Sequence, residues 1–161
     1  MPKAAMSKAA LKFPVRIPFV EQMGLELWSF GDGQAELRVD LAQAHLNSWE
    51  VAHGGVLMTM LDVVMAMAAR SGNSDQPDHG PGAVTVEMKT TFMRPGQGQL
   101  RATGLLLHKT TTLAFTEGSV FNAKDELCAH GTATFKFIRA LPTGGRTSKS
   151  FQRVAPDSSK T

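Results

Sequence analysis

One long apolar segment with a single charge in its interior constrains the fold of this chain most. Residues 54–69, which read GGVLMTMLDVVMAMAA, contain only one charged side chain, the carboxylate of Asp62. The segment is too short for a membrane span, which needs about 20 apolar residues. Its apolar residues recur at helical spacing on nearly every side, so His53 to about Arg70 is predicted to form a buried central helix. An unpartnered carboxylate is costly to bury, so Asp62 should have either a structural partner or a chemical use.

The remaining segments predict strands on both sides of this helix. The connections after residue 94 are short, which favours antiparallel pairing. The sequence therefore predicts an α+β fold in which an antiparallel sheet covers one long helix, and the breadth of the apolar surface suggests a partner subunit. In 83–94, alternation predicts Val84, Val86, Met88 and Phe92 on one face and Thr85, Glu87 and Lys89 on the other. The predicted elements are a short helix over 17–24 and strands over 25–30, 34–41, 83–94, 99–110, 113–122 and 127–138.

The length of 161 residues fits one domain, and charge divides the chain into three parts. Residues 1–16 contain four basic side chains and no acid, which predicts a flexible basic arm. Residues 140–161 are also basic and rich in Gly and Ser, which predicts a disordered tail. The domain between them, 17–139, is acidic overall, so it offers no basic face for nucleic acid. A single cysteine, Cys128, and no apolar leader favour a cytoplasmic protein.

The start of the predicted helix is a candidate site. The first turn of a helix presents unpaired N–H groups and a positive dipole end, and Gly54 and Gly55 let a ligand approach them closely. Such a site could polarise a carbonyl oxygen, although close packing would also explain two glycines. Asp62 lies about half a turn around the axis from His53 and about 13 Å along it. A two-fold partner could bring Asp62 of one chain to the Gly54 end of the other.

Three motifs and two strand patterns form a set, which consists of Asn47, His53-Gly54-Gly55 and Leu61-Asp62 together with the strands of 84–95 and 112–135. This set resembles the hotdog-fold acyl-CoA thioesterases of the phenylacetate-degradation (PaaI-like) branch. The resemblance covers 24–138. It implies a homodimer that assembles to a homotetramer and hydrolyses acyl-CoA to free acid and CoA, without a metal or cofactor. It also implies site roles: the Gly54 N–H polarises the thioester carbonyl, the opposite subunit's Asp62 attacks it or activates water, Asn47 and His53 shape the site, and Thr85 orients water.

Further candidates concern substrate binding and one departure from the family pattern. The family usually has Gly at the position of Glu50, so Glu50 would be strained if that position needs a positive φ, and it could add a carboxylate to the site. Lys109, Thr110 and Thr111 could contact the CoA phosphates. Two other functions stay open, which are a non-catalytic acyl-CoA binder and a hotdog enoyl-CoA hydratase or dehydratase. Asp62 as a buried structural acid is the corresponding alternative for the helix.

Overall fold

The computed structural model describes residues 9–13, 15–74, 80–142 and 148–150. One long helix and six main strands match the predicted order, with boundaries shifted by one or two residues. The elements are α1 (Pro18–Gln22), β1 (Glu26–Gly31), β2 (Gln34–Asp40), a 3₁₀ turn (Gln43–His45), α2 (Gly54–Ser71), β3 (Gly82–Phe92), β4 (Gln99–Lys109), β5 (Leu113–Phe121), β6 (Leu127–Ile138), β7 (Ala140–Pro142) and β8 (Ser148–Ser150).

The six main strands form one antiparallel sheet in the order β1-β2-β4-β5-β6-β3. The long helix α2 connects β2 to β3, so the chain crosses the sheet and adds its next strand at the far edge. This arrangement confirms the predicted α+β fold, with an antiparallel sheet wrapped around one central helix. Because β3 lies at the edge of the sheet, one side of its backbone has no strand partner within this sheet.

A row of three glycines lets the helix lie close to the sheet. Gly104, Gly118 and Gly131 face each other in register across β4, β5 and β6. A Cβ atom at Gly104 would come within 2.5 Å of the Val64 carbonyl oxygen, which belongs to the α2 backbone. Side chains at these positions would hold α2 away from the strands, so the glycines determine how closely the core can pack. Most of the apolar residues of α2 are buried, as their helical spacing predicts.

One side of α2 is less covered than the rest. We call this side the uncovered strip; its members are spaced four residues apart and are Gly54, Met58, Asp62 and Ala66. Met58 is 42% exposed. The observed helix is longer than the apolar run 54–69, and by length and composition alone it could cross a membrane, so the exclusion of a span by length is wrong. Most of the helix is buried inside the fold, which makes it the core helix of the sheet, and the described residues leave the strip open.

A β-bulge in β3 changes which side chains face the helix. Thr85 pairs with Phe135 and Glu87 with Thr134, so Val86 is an extra residue between two ladder positions. Phe135 is fully buried, and its partner Thr85 therefore faces the core side. Beyond the bulge, Met88 and Phe92 pair with the buried Ala133 and Ala129, so they face the core side as well. The strict alternation predicted for 83–94 is wrong for this reason, and Glu87 does not share a face with Thr85.

The structure describes only parts of the predicted arm 1–16 and the predicted tail 140–161, and the rest of both segments lies outside the described residues. Leu11 forms a β-bridge with Leu27, and Val15 is buried, so the second half of the predicted flexible arm packs on the domain. Apolar side chains at positions 11, 13 and 15 explain this contact. Within the predicted disordered tail 140–161, β7 pairs with β8 as a short antiparallel ladder.

Candidate active site

The start of α2 is fixed by its own capping residue. His53 has an extended backbone, and its Nδ1 accepts a hydrogen bond of 2.9 Å from the Gly55 N–H. The neutral imidazole therefore carries its proton on Nε2. The His53 N–H donates to the carbonyl oxygen of His45 at 2.8 Å, and His45 is itself buried. His53 thus holds the first turn in place.

The Gly54 N–H is the donor that this first turn leaves available. The Gly55 N–H is paired with His53, and the Val56 N–H donates to the His53 carbonyl oxygen at 2.9 Å. Within the part of the chain that the structure describes, the Gly54 N–H has no acceptor. Gly54 is only half-buried, so an outside oxygen can reach this donor at the positive end of the helix dipole.

The loop before the helix contains Asn47 and Glu50. The Asn47 Oδ1 accepts hydrogen bonds from the Trp49 N–H at 2.9 Å and from the Val51 N–H at 3.4 Å. Through these bonds Asn47 organises its own loop. Glu50 has a φ of +57°, so this position requires the left-handed conformation that glycine adopts without strain. Glu50 therefore has the positive φ at which a residue other than glycine is strained, and its side chain is exposed.

Asp62 has a hydroxyl partner. The Thr85 Oγ1 donates to the Asp62 Oδ1 at 2.6 Å, and the carboxylate is partly exposed on the uncovered strip. The bulge at Val86 is what turns Thr85 toward the helix, so two residues that are 23 positions apart meet here. Asp62 is therefore neither deeply buried nor without a partner. It is a reachable carboxylate with one oxygen held in place, which leaves the other oxygen for a further contact.

Gly54 and Asp62 lie on the same side of α2 but not at the same height. Eight residues separate them, which is about 80° around the helix and about 12 Å along its axis. A base must come within hydrogen-bond reach of the group it deprotonates. Within one chain, Asp62 is therefore too far along the helix to act on a carbonyl group bound at the Gly54 N–H.

Sequence reasoning overlooked Phe92 as a neighbour of the site. A Cβ atom at Gly54 would lie 3.6 Å from Cε1 and Cζ of the Phe92 ring. Phe92 is 50% exposed although it faces the core side of β3. Strict alternation put Phe92 on the face away from Thr85, and the bulge that reverses this has no clear sequence signal. An aromatic residue at the strand end was the one available hint.

The residues proposed for the CoA phosphates lie at the opposite end of α2. The Lys109 Nζ donates to the Gly72 carbonyl oxygen and, at 2.8 Å, to the Asn73 Oδ1. It therefore caps the C-terminal end of the helix, about 27 Å from Gly54 by helix rise. The Thr110 Oγ1 accepts from the Thr112 and Leu113 N–H groups, and Thr111 is exposed. The structure does not bring these residues to Gly54 in one protomer.

The side chains of Cys128 and His45 have their partners outside the site. Burial is the main cause that raises the pKa of the Cys128 thiol, which lies beside the Pro95 and Glu126 carbonyl oxygens. The His45 Nδ1 accepts from the Ala42 N–H at 2.9 Å, which explains its burial. In the described ranges, no three His, Cys, Asp or Glu residues come together as a metal site.

Known proteins resemble this chain over the region that contains the candidate site. Residues 50–129, which include the helix start and Asp62, match the model of the thioesterase superfamily. The conserved protein PA5202 of Pseudomonas aeruginosa is 31% identical, with a TM-score of 0.70 over 77% of this chain and 96% of its own. The chain belongs to the thioesterase superfamily. Rv1847 of Mycobacterium tuberculosis, provisionally named an esterase, is 27% identical over 80% of this chain and 91% of its own.

Two further solved structures share the fold. The PaaI protein of the Escherichia coli phenylacetic acid degradation operon has a TM-score of 0.69 at 22% identity, over 76% of this chain and 86% of its own. The smu.793 protein of Streptococcus mutans, solved with acetyl-CoA bound, has a TM-score of 0.66 at 22% identity, over 77% and 93%. These likenesses confirm the hotdog fold. Thioester hydrolysis is the chemistry that the family supports in general.

Proposed function

We propose that this thioesterase-family chain hydrolyses acyl-CoA thioesters in a site formed by two subunits. The Gly54 N–H of one subunit polarises the thioester carbonyl, and Asp62 of the other subunit provides the carboxylate. The observation that carries the proposal is the pair formed by Asp62 and Thr85 at 2.6 Å, on the helix whose first N–H has no acceptor among the described residues. The acetyl-CoA bound to the Streptococcus mutans neighbour supports CoA thioesters as the ligand class.

The proposed reaction uses these groups in sequence. A water molecule attacks the carbonyl carbon while Asp62 takes a proton from it, and the resulting oxyanion accepts a hydrogen bond from the Gly54 N–H. The intermediate then collapses, the bond from carbon to sulfur breaks, and the CoA thiolate leaves and is protonated by the Asp62 carboxyl group. Direct attack by Asp62 is the alternative route and passes through a mixed anhydride that water then opens. A single turnover in H₂¹⁸O that puts label into Asp62 would establish direct attack, because only water that opens the anhydride at the Asp62 carboxyl carbon does so. Opening at the acyl carbon labels the acid product, as the water route does.

The free edge of β3 supports a two-subunit site. An 11-residue edge strand presents a row of backbone donors and acceptors that a second copy can pair with. Pairing of two β3 edges around a two-fold axis would set the two α2 helices side by side, with the start of one helix near the middle of the other. This arrangement would span the distance of about 12 Å that separates Gly54 from Asp62 in one chain. We propose such a homodimer, its further assembly to a homotetramer, and a cytoplasmic location.

The first experiment measures thiol release from a panel of acyl-CoAs. Wild type and Asp62→Asn are compared, with Asp40→Asn as a matched control, because Asp40 is a surface carboxylate paired with Gln99. We expect wild-type turnover that falls about 10²- to 10⁴-fold in Asp62→Asn and stays unchanged in the control. Full activity in Asp62→Asn would contradict the proposed role. Binding of acyl-CoA without any thiol release by wild type would favour a non-catalytic binder instead.

A second experiment tests whether the site is shared between subunits. Gly54→Pro removes the proposed donor and adds a ring, and it fits the fold because proline suits the first position of a helix and His53 already has the extended backbone that precedes proline. Gly54→Ala keeps the N–H and adds a Cβ atom near the Phe92 ring, so it shows how much of any loss comes from added bulk alone. Asp62→Asn and Gly54→Pro chains are co-expressed with different tags, and the mixed dimer is purified through both. A shared site predicts about half of wild-type activity from one intact site in two, whereas a site within one chain predicts none.

A further inference from the structure

We propose that Phe92 selects the acyl group by limiting the bulk on the carbon next to the thioester carbonyl. This inference rests on the proposed hydrolysis of acyl-CoA and goes beyond it, since it names the favoured substrates. These are acyl groups with a CH₂ next to the carbonyl. Groups branched at that carbon, or with a ring attached directly to the carbonyl, are disfavoured.

The position of the ring at the helix start carries the proposal. In a helix, Cα–Cβ bonds tilt toward the N-terminal end, which is also where the first N–H groups point. The Phe92 ring lies 3.6 Å from the place where a Gly54 Cβ would be. It therefore faces the same small volume that a carbonyl group bound to the Gly54 N–H would occupy. The missing side chain of Gly54 leaves a gap between the helix start and the ring.

Distances confine what fits in that gap. A carbonyl oxygen bound to the Gly54 N–H lies about 2.9 Å from the nitrogen, and its carbon is one bond further away. The groups attached to that carbon then meet the edge of an aromatic ring that is held on a paired strand. Phe92 lies opposite Ala129, which is fully buried, so the Phe92 backbone is held in the sheet while half of the residue's surface stays exposed.

The surroundings of Phe92 match an acyl group better than the thiol portion of CoA. Met58, one helical turn beyond Gly54, is 42% exposed. Together with Phe92 it presents an apolar surface beside the proposed oxyanion donor. The thiol arm of CoA contains amide groups that need hydrogen-bond partners, which thioether and phenyl side chains do not supply. We therefore assign the Phe92 side of the site to the acyl group.

The test compares acyl preferences in purified full-length protein. The kcat/KM values for butyryl-, isobutyryl- and benzoyl-CoA are measured for wild type, Phe92→Ala and Phe92→Leu. The control is Phe115→Ala, because Phe115 is similarly exposed at 38% and pairs with Thr134 on the opposite side of the sheet from the helix. We expect Phe92→Ala to raise the ratio of isobutyryl to butyryl efficiency about tenfold, Phe92→Leu to raise it less, and Phe115→Ala to leave it unchanged.

The outcomes separate this inference from the proposed function. Wild type that hydrolyses none of the thioesters would overturn the function and the inference with it. Active wild type with the same acyl ratios in Phe92→Ala would overturn the inference alone. The same variants are also tested with butyryl-N-acetylcysteamine, which lacks most of the CoA arm. A changed ratio between the two thiols, with unchanged acyl ratios, would assign Phe92 to the leaving group and overturn the inference. If Phe92→Ala does not fold, Phe92→Leu decides by the same ratios.

Discussion

The left-handed backbone at Glu50 leads to a prediction whose sign is unusual. At most positions, replacing Ala by Gly costs about 0.5–1 kcal/mol, because Gly loses more conformational freedom on folding. Glu50 has a φ of +57°, where a residue with a Cβ atom is disfavoured by about 1–2 kcal/mol relative to Gly. Subtracting the entropic cost of Gly leaves a net gain. Glu50→Gly should therefore be more stable than Glu50→Ala by about 0.5–1 kcal/mol.

Comparing Gly with Ala at this position isolates the backbone. Both variants lose the carboxylate, so charge and side-chain contacts cancel between them. The control pair is Lys89→Gly and Lys89→Ala, because Lys89 is exposed on β3 and has ordinary strand geometry. In urea unfolding, the control pair should show the usual order, with Ala more stable. For a chain of this size, the difference at Glu50 corresponds to a rise in Tm of about 2–3 °C for Gly over Ala.

The refuting result is simple to recognise. If Glu50→Ala is as stable as Glu50→Gly or more stable, the loop does not require a positive φ at this position. Activity measured on the same two variants addresses the carboxylate. An equal change in acyl-CoA turnover in both would show that the Glu50 side chain acts on the substrate. A change in only one would show that the loop conformation is responsible.

Three other perturbations test the packing and the ends of α2. Gly104→Ala should destabilise the fold by about 3 kcal/mol in urea unfolding, because the new Cβ would meet the Val64 carbonyl oxygen at 2.5 Å, and a neutral result would refute the close contact. Thr90→Val should raise the free energy of unfolding by about 1 kcal/mol, because the buried Thr90 Oγ1 has no hydrogen-bond partner among the described residues. A lower free energy of unfolding would instead indicate that a partner subunit or a water molecule is bonded to this hydroxyl. Lys109→Met should lower stability by about 1 kcal/mol without raising KM for acyl-CoA, whereas a raised KM at unchanged stability would support a phosphate contact.

The sequence was enough to predict the fold because its strongest pattern is also the core of the molecule. The helix predicted from His53 to about Arg70 is observed over Gly54–Ser71, since an apolar run of this length has few other ways to be buried. The strands were found from alternation and from short turns between them. The order of strands in the sheet was not predicted from the residues, because pairing between distant strands leaves little local signal.

The predicted site was harder to assemble from sequence, for reasons visible at particular residues. Lys109 is a basic residue at a strand end, which would suit a contact with phosphate. The same position suits the observed contact with Gly72, the C-cap of α2, which lies 37 positions earlier in the chain. Asn47 was predicted to shape the site, and its side chain is bonded to its own loop. These assignments depend on where a polar side chain finds its partner, and the partner lies elsewhere in the chain. Local sequence does not contain that information.

The extra residue in β3 links the fold to the chemistry. Without a bulge at Val86, a strand that turned Met88 and Phe92 toward the core would turn Thr85 outward, since side chains alternate strictly. The bulge lets Thr85, Met88 and Phe92 all face α2, so Thr85 reaches Asp62 while Phe92 reaches the start of the helix. One strand thereby reaches the uncovered strip at Asp62 and at Gly54, which are the two places where the proposed reaction needs a carboxylate and an oxyanion donor. Because β3 is also an edge strand, the residue that orients Asp62 and the backbone that would pair with a second subunit belong to the same element. Catalytic geometry and assembly are therefore coupled through β3 in this proposal, and a change that straightens the strand should weaken both.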